Sequence, residues 1–210
     1  METSTYDSFK RAFDVAASAL GLVATAPLFA AIGLAIRLET PGPVFLRQTR
    51  VGRAGEDFDL WKFRTMVVDA HTIGAGWLVG EGDPRITRVG RFLRKWSLDE
   101  LPQLANVLRG EMSVVGPRPT LRYQVEQYTE FQRRRLEVKP GLTGWAQIAG
   151  RNELTWPERI ERDVWYVEHR SFLLDLKILA HTIPVLLHPS KVYNEARADW
   201  GEREAAQEQS

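Results

Sequence analysis

Two neighbouring carboxylates, Asp99 and Glu100, stand just beyond a stretch that holds Arg85, Arg88, Arg91, Arg94 and Lys95 and no acid. A basic stretch of this kind concentrates anions where the carboxylates begin. The combination points to phosphate chemistry, run through a metal ion or a covalent step. An ionised aspartate can attack phosphorus, and carboxylates together with phosphate oxygens suit Mg²⁺. Glycoside hydrolysis fits poorly, because it needs two carboxyl groups facing each other across the sugar. Sequence neighbours on a helix point about 100° apart.

A purely structural reading competes for the same pair. Ser97 to Glu100 spells Ser-x-x-Glu, which predicts a capping box at the start of a helix over Leu101, Leu104, Val107 and Leu108. Asp99 would then be a first-turn charge that the helix dipole keeps ionised. Downstream, Gly116-Pro117-Arg118-Pro119 places one arginine between two prolines, which restrict its backbone and suit it to gripping phosphate. By itself this is an ordinary turn. Lys62-Phe63-Arg64-Thr65-Met66 carries alternating bases at the end of a strand, and residues 139–147 with Gly150-Arg151-Asn152 form glycine-rich connections of the kind that build ligand loops.

The elements that must position these groups follow from periodicity. Val44 to Arg50 and Phe58 to Phe63, with glycines at 52 and 55 between them, predict a β-hairpin. Ile86, Val89, Phe92, Leu93 and Trp96 predict a helix with an apolar stripe among arginines. Further helices are predicted over 120–136, 156–168 and 173–187, the last ending or bending near Pro184. The fold class is mainly α with a small β-hairpin or sheet, α+β, with interfacial amphipathic helices. Its expected divisions are a membrane segment over 1–40, a catalytic unit over 41–190, and a polar, disordered tail over 191–210.

From Val15 to Ile36 run 22 residues without a formal charge, roughly 33 Å as one helix and enough to cross a bilayer core. A cleaved signal peptide is supported by Ala24-Thr25-Ala26 but opposed by Pro27 and by the apolar run beyond it. Lys10 and Arg11 before the run and Arg37, Arg47, Arg50 and Arg53 after it give little asymmetry across a membrane. That favours a re-entrant helix broken near Pro27 over a spanning or a buried one. A net charge of +1 gives no global reason to expect nucleic acid, and the lack of cysteine removes disulfides and thiolate sites and fits a cytoplasm-facing protein.

The segments KRAFDV, TPGPVFLRQTRVG, FDLWKFRTM, RFLRKWSLDELPQLANVLRGEMSVVGPRP, KPGLTGWAQIAGRN and ERDVWYVEHRSFLLDLKIL resemble, in order, the bacterial sugar transferase family, the monotopic phosphoglycosyl transferases. The resemblance runs from Lys10 to about Leu187. It implies transfer of a sugar phosphate from a UDP-sugar to polyprenyl phosphate at the cytoplasmic face of the bacterial inner membrane, with Mg²⁺ and release of UMP. It implies Asp99 as nucleophile and metal contact and Glu100 as a metal-associated or proton-handling helper. Lys62, Arg94, Arg118, Arg151 and Asp163 would bind phosphate or nucleotide, and Pro27 would break a re-entrant helix, although Ala26 stands where relatives often carry serine. Membrane lipids would be partners and nucleic acid would not. The short chain reads as the minimal catalytic form, in a glycoconjugate, exopolysaccharide or lipopolysaccharide pathway. GRNELTW is similar to members that take N-acetylated deoxyamino sugars. A non-catalytic scaffold binding anionic lipids is the alternative, and it gives no reason for the acidic pair.

Overall fold

The computed structural model describes residues 5–70, 82–150 and 154–187. The expected tail over 191–210 and Arg151 lie outside the described residues. Helix α1 runs from Thr5 to Glu39, followed by strands β1 (Phe45–Val51) and β2 (Asp57–Phe63), helix α2 (Arg88–Lys95), a 3₁₀ turn over Leu98–Glu100 and helix α3 (Gln103–Arg109). Then come β3 (Ser113–Val115), α4 (Arg122–Glu126), α5 (Glu130–Arg133), a 3₁₀ turn over Arg134–Glu137, β4 (Gly141–Thr143), α6 (Trp145–Ile148), α7 (Trp156–His169) and α8 (Phe172–Leu187). The α+β class, the hairpin β1-β2 and the helices α2, α7 and α8 match the sequence pattern.

Two expectations need refinement, and one element lies beyond the sequence pattern. The chain does not leave the helix at Pro27: α1 is one helix with the proline inside it rather than two helices with a gap between them. Proline removes one donor and crowds the preceding turn, and α1 carries that cost between two anchored stretches, with Asp14 and Ser18 buried before the proline and Ile32 and Ile36 buried after it. The Thr25 hydroxyl donates to the Gly21 carbonyl at 2.6 Å, within the same helix. The single helix expected over 120–136 is two short helices and a 3₁₀ turn, because Thr129 and Gln132 form a capping box that restarts the chain. The parallel pair β3-β4 was not foreseen, since three-residue strands carry too little alternation to register as a pattern.

Carboxylates and apolar contacts tie α1 to one globular body at both of its ends. Asp175, buried on α8, accepts from Tyr6 at 2.9 Å, from Lys10 at 2.6 Å and from Tyr166 of α7 at 2.7 Å. Asp14 Oδ1 accepts from the Val114 amide at 2.9 Å and the Ser113 hydroxyl at 3.0 Å. Glu39 accepts from the Arg88 and Val89 amides at 2.6 and 2.9 Å, satisfying orphan donors at the start of α2. Between them Ile32 and Ile36 join Phe63 and Leu93 in one core cluster, with Phe29 against it.

The opposite face of α1 is bare. Leu20, Val23, Leu34 and Leu38 are 71, 76, 61 and 77% exposed, and Phe9 stacks edge-on against Phe172 of α8 at 4.8 Å. Helix α8 continues this surface with exposed Leu173, Leu176 and Ile183. A contiguous apolar surface of this extent is unfavourable in water and marks contact with lipid, so the protein is membrane-associated through α1.

The seam between hairpin and α2 depends on one glycine. A Cβ built at Gly90 would lie 2.0 Å from the Thr65 carbonyl oxygen and 2.7 Å from its carbon. Gly90→Ala should therefore destabilise the protein by about 3 kcal/mol through overpacking, read as a lowered midpoint of thermal unfolding in detergent. An unchanged midpoint would mean that α2 does not dock here.

Candidate active site

The site is assembled where the end of β2, the end of α2, the 3₁₀ turn after it and the loop after β3 converge. Lys62 sits one residue from the end of β2, and Asn106 of α3 holds that strand's free edge. The Asn106 Oδ1 accepts from the Trp61 amide at 3.1 Å, and its Nδ2 donates to the Asp59 carbonyl at 2.7 Å. A fully buried asparagine thus does for the edge what a third strand would do. Just beyond the strand, the Thr65 hydroxyl accepts from Arg94 Nε at 2.8 Å. Gly90 fixes where α2 lies and Thr65 fixes where Arg94 lies.

Ser97 then takes a left-handed conformation, φ 55° and ψ 21°, which swings the chain out of α2 and into the turn carrying Asp99 and Glu100. This corrects the capping-box expectation. An N-cap residue needs extended backbone, and Ser97 makes no side-chain cap hydrogen bond. Helix α3 begins only at Gln103, after Pro102. Asp99 is consequently not stabilised by a helix end and is not held ionised by one.

The two carboxylates live in different surroundings. Asp99 is buried, and it accepts no hydrogen bond and forms no ion pair among the described residues. Burial pushes its pKa up; Lys62 pulls it back, Glu100 pushes it up again, and Arg94 and Arg118 add weaker downward pulls. Glu100 takes the cations instead. Its Oε1 accepts from Lys62 Nζ at 3.0 Å and from Arg118 Nη2 at 2.5 Å, and its Oε2 from Arg118 Nη1 at 3.3 Å. Burial opposes its ionisation, but the charges of Arg118 and Lys62 win and hold Glu100 well below the usual carboxylate range.

Arg118 reaches Glu100 from a loop that is pinned along its backbone. The Gly116 amide donates to the Thr143 carbonyl at 2.9 Å, and the Gly141 amide donates to the Pro117 carbonyl at 2.8 Å. The Arg118 carbonyl accepts from Arg135 Nη2 at 2.8 Å, and the Thr120 carbonyl accepts from the Val51 amide at 2.9 Å. These approaches require glycine. A Cβ at Gly141 would meet the Gly116 nitrogen at 2.1 Å, and one at Gly144 the Gly116 oxygen at 2.2 Å. The GPRP and KPGLTG segments are therefore two halves of one close backbone contact.

Lys62, Arg94, Asp99, Glu100 and Arg118 are brought together. Asp163 is not with them: it is buried on α7 in an ion pair with Arg135, which also donates to the Tyr128 hydroxyl at 2.5 Å. Through Arg135, Asp163 braces the Arg118 backbone from behind, its carboxylate engaged by that guanidinium. The sequence reading missed Arg135, Tyr128, Thr65 and Asn106. Nothing sets Arg135 apart within Arg133-Arg134-Arg135, whereas Asn106 in an apolar helical stripe was a visible sign of a buried polar role.

A divalent cation bound here would be held by Asp99 and Glu100. No group of three His, Cys, Asp or Glu side chains that could hold one occurs among the described residues, but Mg²⁺ commonly takes one or two carboxylates and completes its shell with water and substrate phosphates. Asp99, with its oxygens uncommitted to protein donors, meets that description and Glu100 adjoins it.

The chain belongs to the bacterial sugar transferase family, whose model, described as "Bacterial sugar transferase", matches residues 5–189. It is 48% identical over 178 residues to the uncharacterized sugar transferase EpsL of Bacillus subtilis (strain 168), covering 85% of this chain and 87% of that protein. It is 44% identical over 199 residues to the UDP-glucose:undecaprenyl-phosphate glucose-1-phosphate transferase of Caulobacter vibrioides, covering 89% of this chain and 73% of that one. A protein of the same description from Escherichia coli (strain K12) is 44% identical over 182 residues, and there the match covers 83% of this chain but 39% of the relative. The protein is thus an enzyme, a phosphoglycosyl transferase.

The buried Asp163–Arg135 pair makes a prediction that separates bracing from ligand binding. Asp163→Asn strands a buried guanidinium and should cost about 3 kcal/mol, seen as a lowered unfolding midpoint without substrate. A variant with the wild-type midpoint and weakened nucleotide binding would return Asp163 to the ligand pocket.

Proposed function

We propose that the protein transfers a sugar 1-phosphate from a UDP-sugar to undecaprenyl phosphate, releasing UMP, with Asp99 as the nucleophile. The observation that carries this reading is the Asp99 carboxylate, buried and unpaired beside Lys62, Arg94 and Arg118. Relatives whose names state that donor and acceptor support it. In the first step an Asp99 oxygen attacks the phosphorus bearing the sugar. The new O–P bond forms as the P–O bond to UMP breaks, and UMP leaves with that electron pair. In the second step an oxygen of the lipid phosphate attacks the same phosphorus, and the bond to Asp99 breaks to restore the carboxylate.

The surrounding residues serve these steps by position and charge. Arg94, anchored through Nε to Thr65, presents the rest of its guanidinium to phosphate oxygens, and Lys62 and Arg118 bind the diphosphate. Raised by burial, the Asp99 pKa makes a carboxylate more basic than an exposed one, which favours attack. Mg²⁺, held by Asp99 and Glu100, would supply charge neutralisation on the diphosphate. Helix α1 enters and leaves the bilayer on one side, the cytoplasmic side, by bending at Pro27 while staying helical, as its attachment to one globular body at both ends supports. That brings the lipid phosphate to the depth of the site. A scaffold that only binds anionic lipid would leave the unpaired buried carboxylate without a role.

Two measurements test the reaction. Asp99→Asn should lose UMP release by at least about a thousandfold, because an amide is no nucleophile, and a radiolabelled sugar phosphate should attach to wild-type protein only; transfer by this variant at the wild-type rate would sink the proposal. Chelation by EDTA should stop UMP release and added Mg²⁺ should restore it, whichever UDP-sugar in a panel proves to be the donor.

A further inference from the structure

The cations suited to the donor's phosphates are already occupied, and by a residue of the same turn. Glu100 accepts a two-armed contact from Arg118 and a third contact from Lys62. A carboxylate gripped by a guanidinium fork and an ammonium stands in the geometry that such groups offer to phosphate. Asp99, one residue away, receives none of these contacts. From this asymmetry we infer that Glu100 is a resident stand-in for substrate phosphate: it holds Lys62 and Arg118 in the empty site and is displaced from them when a nucleoside diphosphate enters. The inference rests on the proposed donor class but not on covalent catalysis.

The arrangement has two consequences. With Glu100 in place, Lys62 and Arg118 are kept off Asp99, so the carboxylate does not collapse into an ion pair when the site is empty. When the diphosphate arrives, its oxygens take over the same donors, and Glu100 gives up its contacts with Lys62 and Arg118. Part of the intrinsic affinity for the donor is offset by breaking the Glu100 contacts.

The test measures binding alone, on detergent-solubilised full-length protein in EDTA, with UDP as probe and isothermal titration calorimetry as readout. Glu100→Gln keeps the shape and removes the competing charge, so the Kd for UDP should fall by about tenfold, the size expected for freeing charged donors. Asp99→Asn removes an equal charge that contacts neither cation, so its Kd should change by much less. In a Lys62→Met background the gain from Glu100→Gln should shrink, because one of the freed donors is gone. Equal gains in the Asp99 and Glu100 variants would reduce the effect to simple charge repulsion and overturn the inference, as would weaker UDP binding by Glu100→Gln. Thermal unfolding of each variant confirms that folded protein is compared. Failure to trap a sugar phosphate on Asp99 would refute the covalent mechanism while leaving the UDP result intact, so the two ideas fail separately.

Discussion

A carboxylate buried among cations is drawn into an ion pair unless each of them is held elsewhere, and Asp99 lies among three cations without pairing with any of them. Opposite charges 4 Å apart near a protein surface attract by about 4 kcal/mol, so an aspartate flanked by Lys62, Arg94 and Arg118 is drawn towards pairing. The fold resists that collapse by giving each cation another engagement. Arg94 is tethered at Nε by Thr65, and Lys62 and Arg118 converge on Glu100. Those engagements hold only because the segments behind them are rigid: Asn106 closes the edge of β2, Gly90 lets α2 touch Thr65, and the loop around Arg118 is pinned through its carbonyls.

Helix α1 is as much a part of this framework as it is a membrane element. Its outer face is apolar and exposed, yet its inner face carries Asp14 and Glu39 and contacts Asp175, three carboxylates that accept bonds linking α1 to β3, α2 and α8. Asp14 and Asp175 are buried, and buried carboxylates are costly unless every partner is in place, so they specify one seating of α1 on the body. The depth at which α1 enters lipid and the position of Asp99 are thereby coupled through α2 and α3, since Ile32 and Ile36 pack with Leu93, and Gly21 faces Leu104.

Much of the secondary structure was legible because its signals are local. Alternation marked the hairpin, the 3.6-residue period marked α2 and α7, and the charge-free run marked α1. The failures came where a local pattern met a tertiary constraint. Ser97-x-x-Glu100 reads as a cap until Ser97 is turned left-handed to join α2 to the next element. The long helix over 120–136 reads as continuous until Tyr128 is drawn inward to Thr120 and Arg135. At Pro27 the local rule predicted a break, and the chain instead stays helical through the proline, with buried anchors in α1 on either side of it.

By itself the sequence determined the chemical types present: an adjacent acidic pair, a basic helix before it, an arginine between prolines and an apolar segment at the start. Which acid meets which base was left to tertiary structure, because contacts such as Lys62 with Glu100, Arg118 with Glu100 and Arg135 with Asp163 join residues 18 to 38 positions apart. No periodicity or spacing encodes such distances. Only the folded arrangement separates Asp99, buried and unpaired, from Glu100, ionised and gripped by two cations, although the two stand side by side in the chain. Burial and contact, not residue type, create that difference.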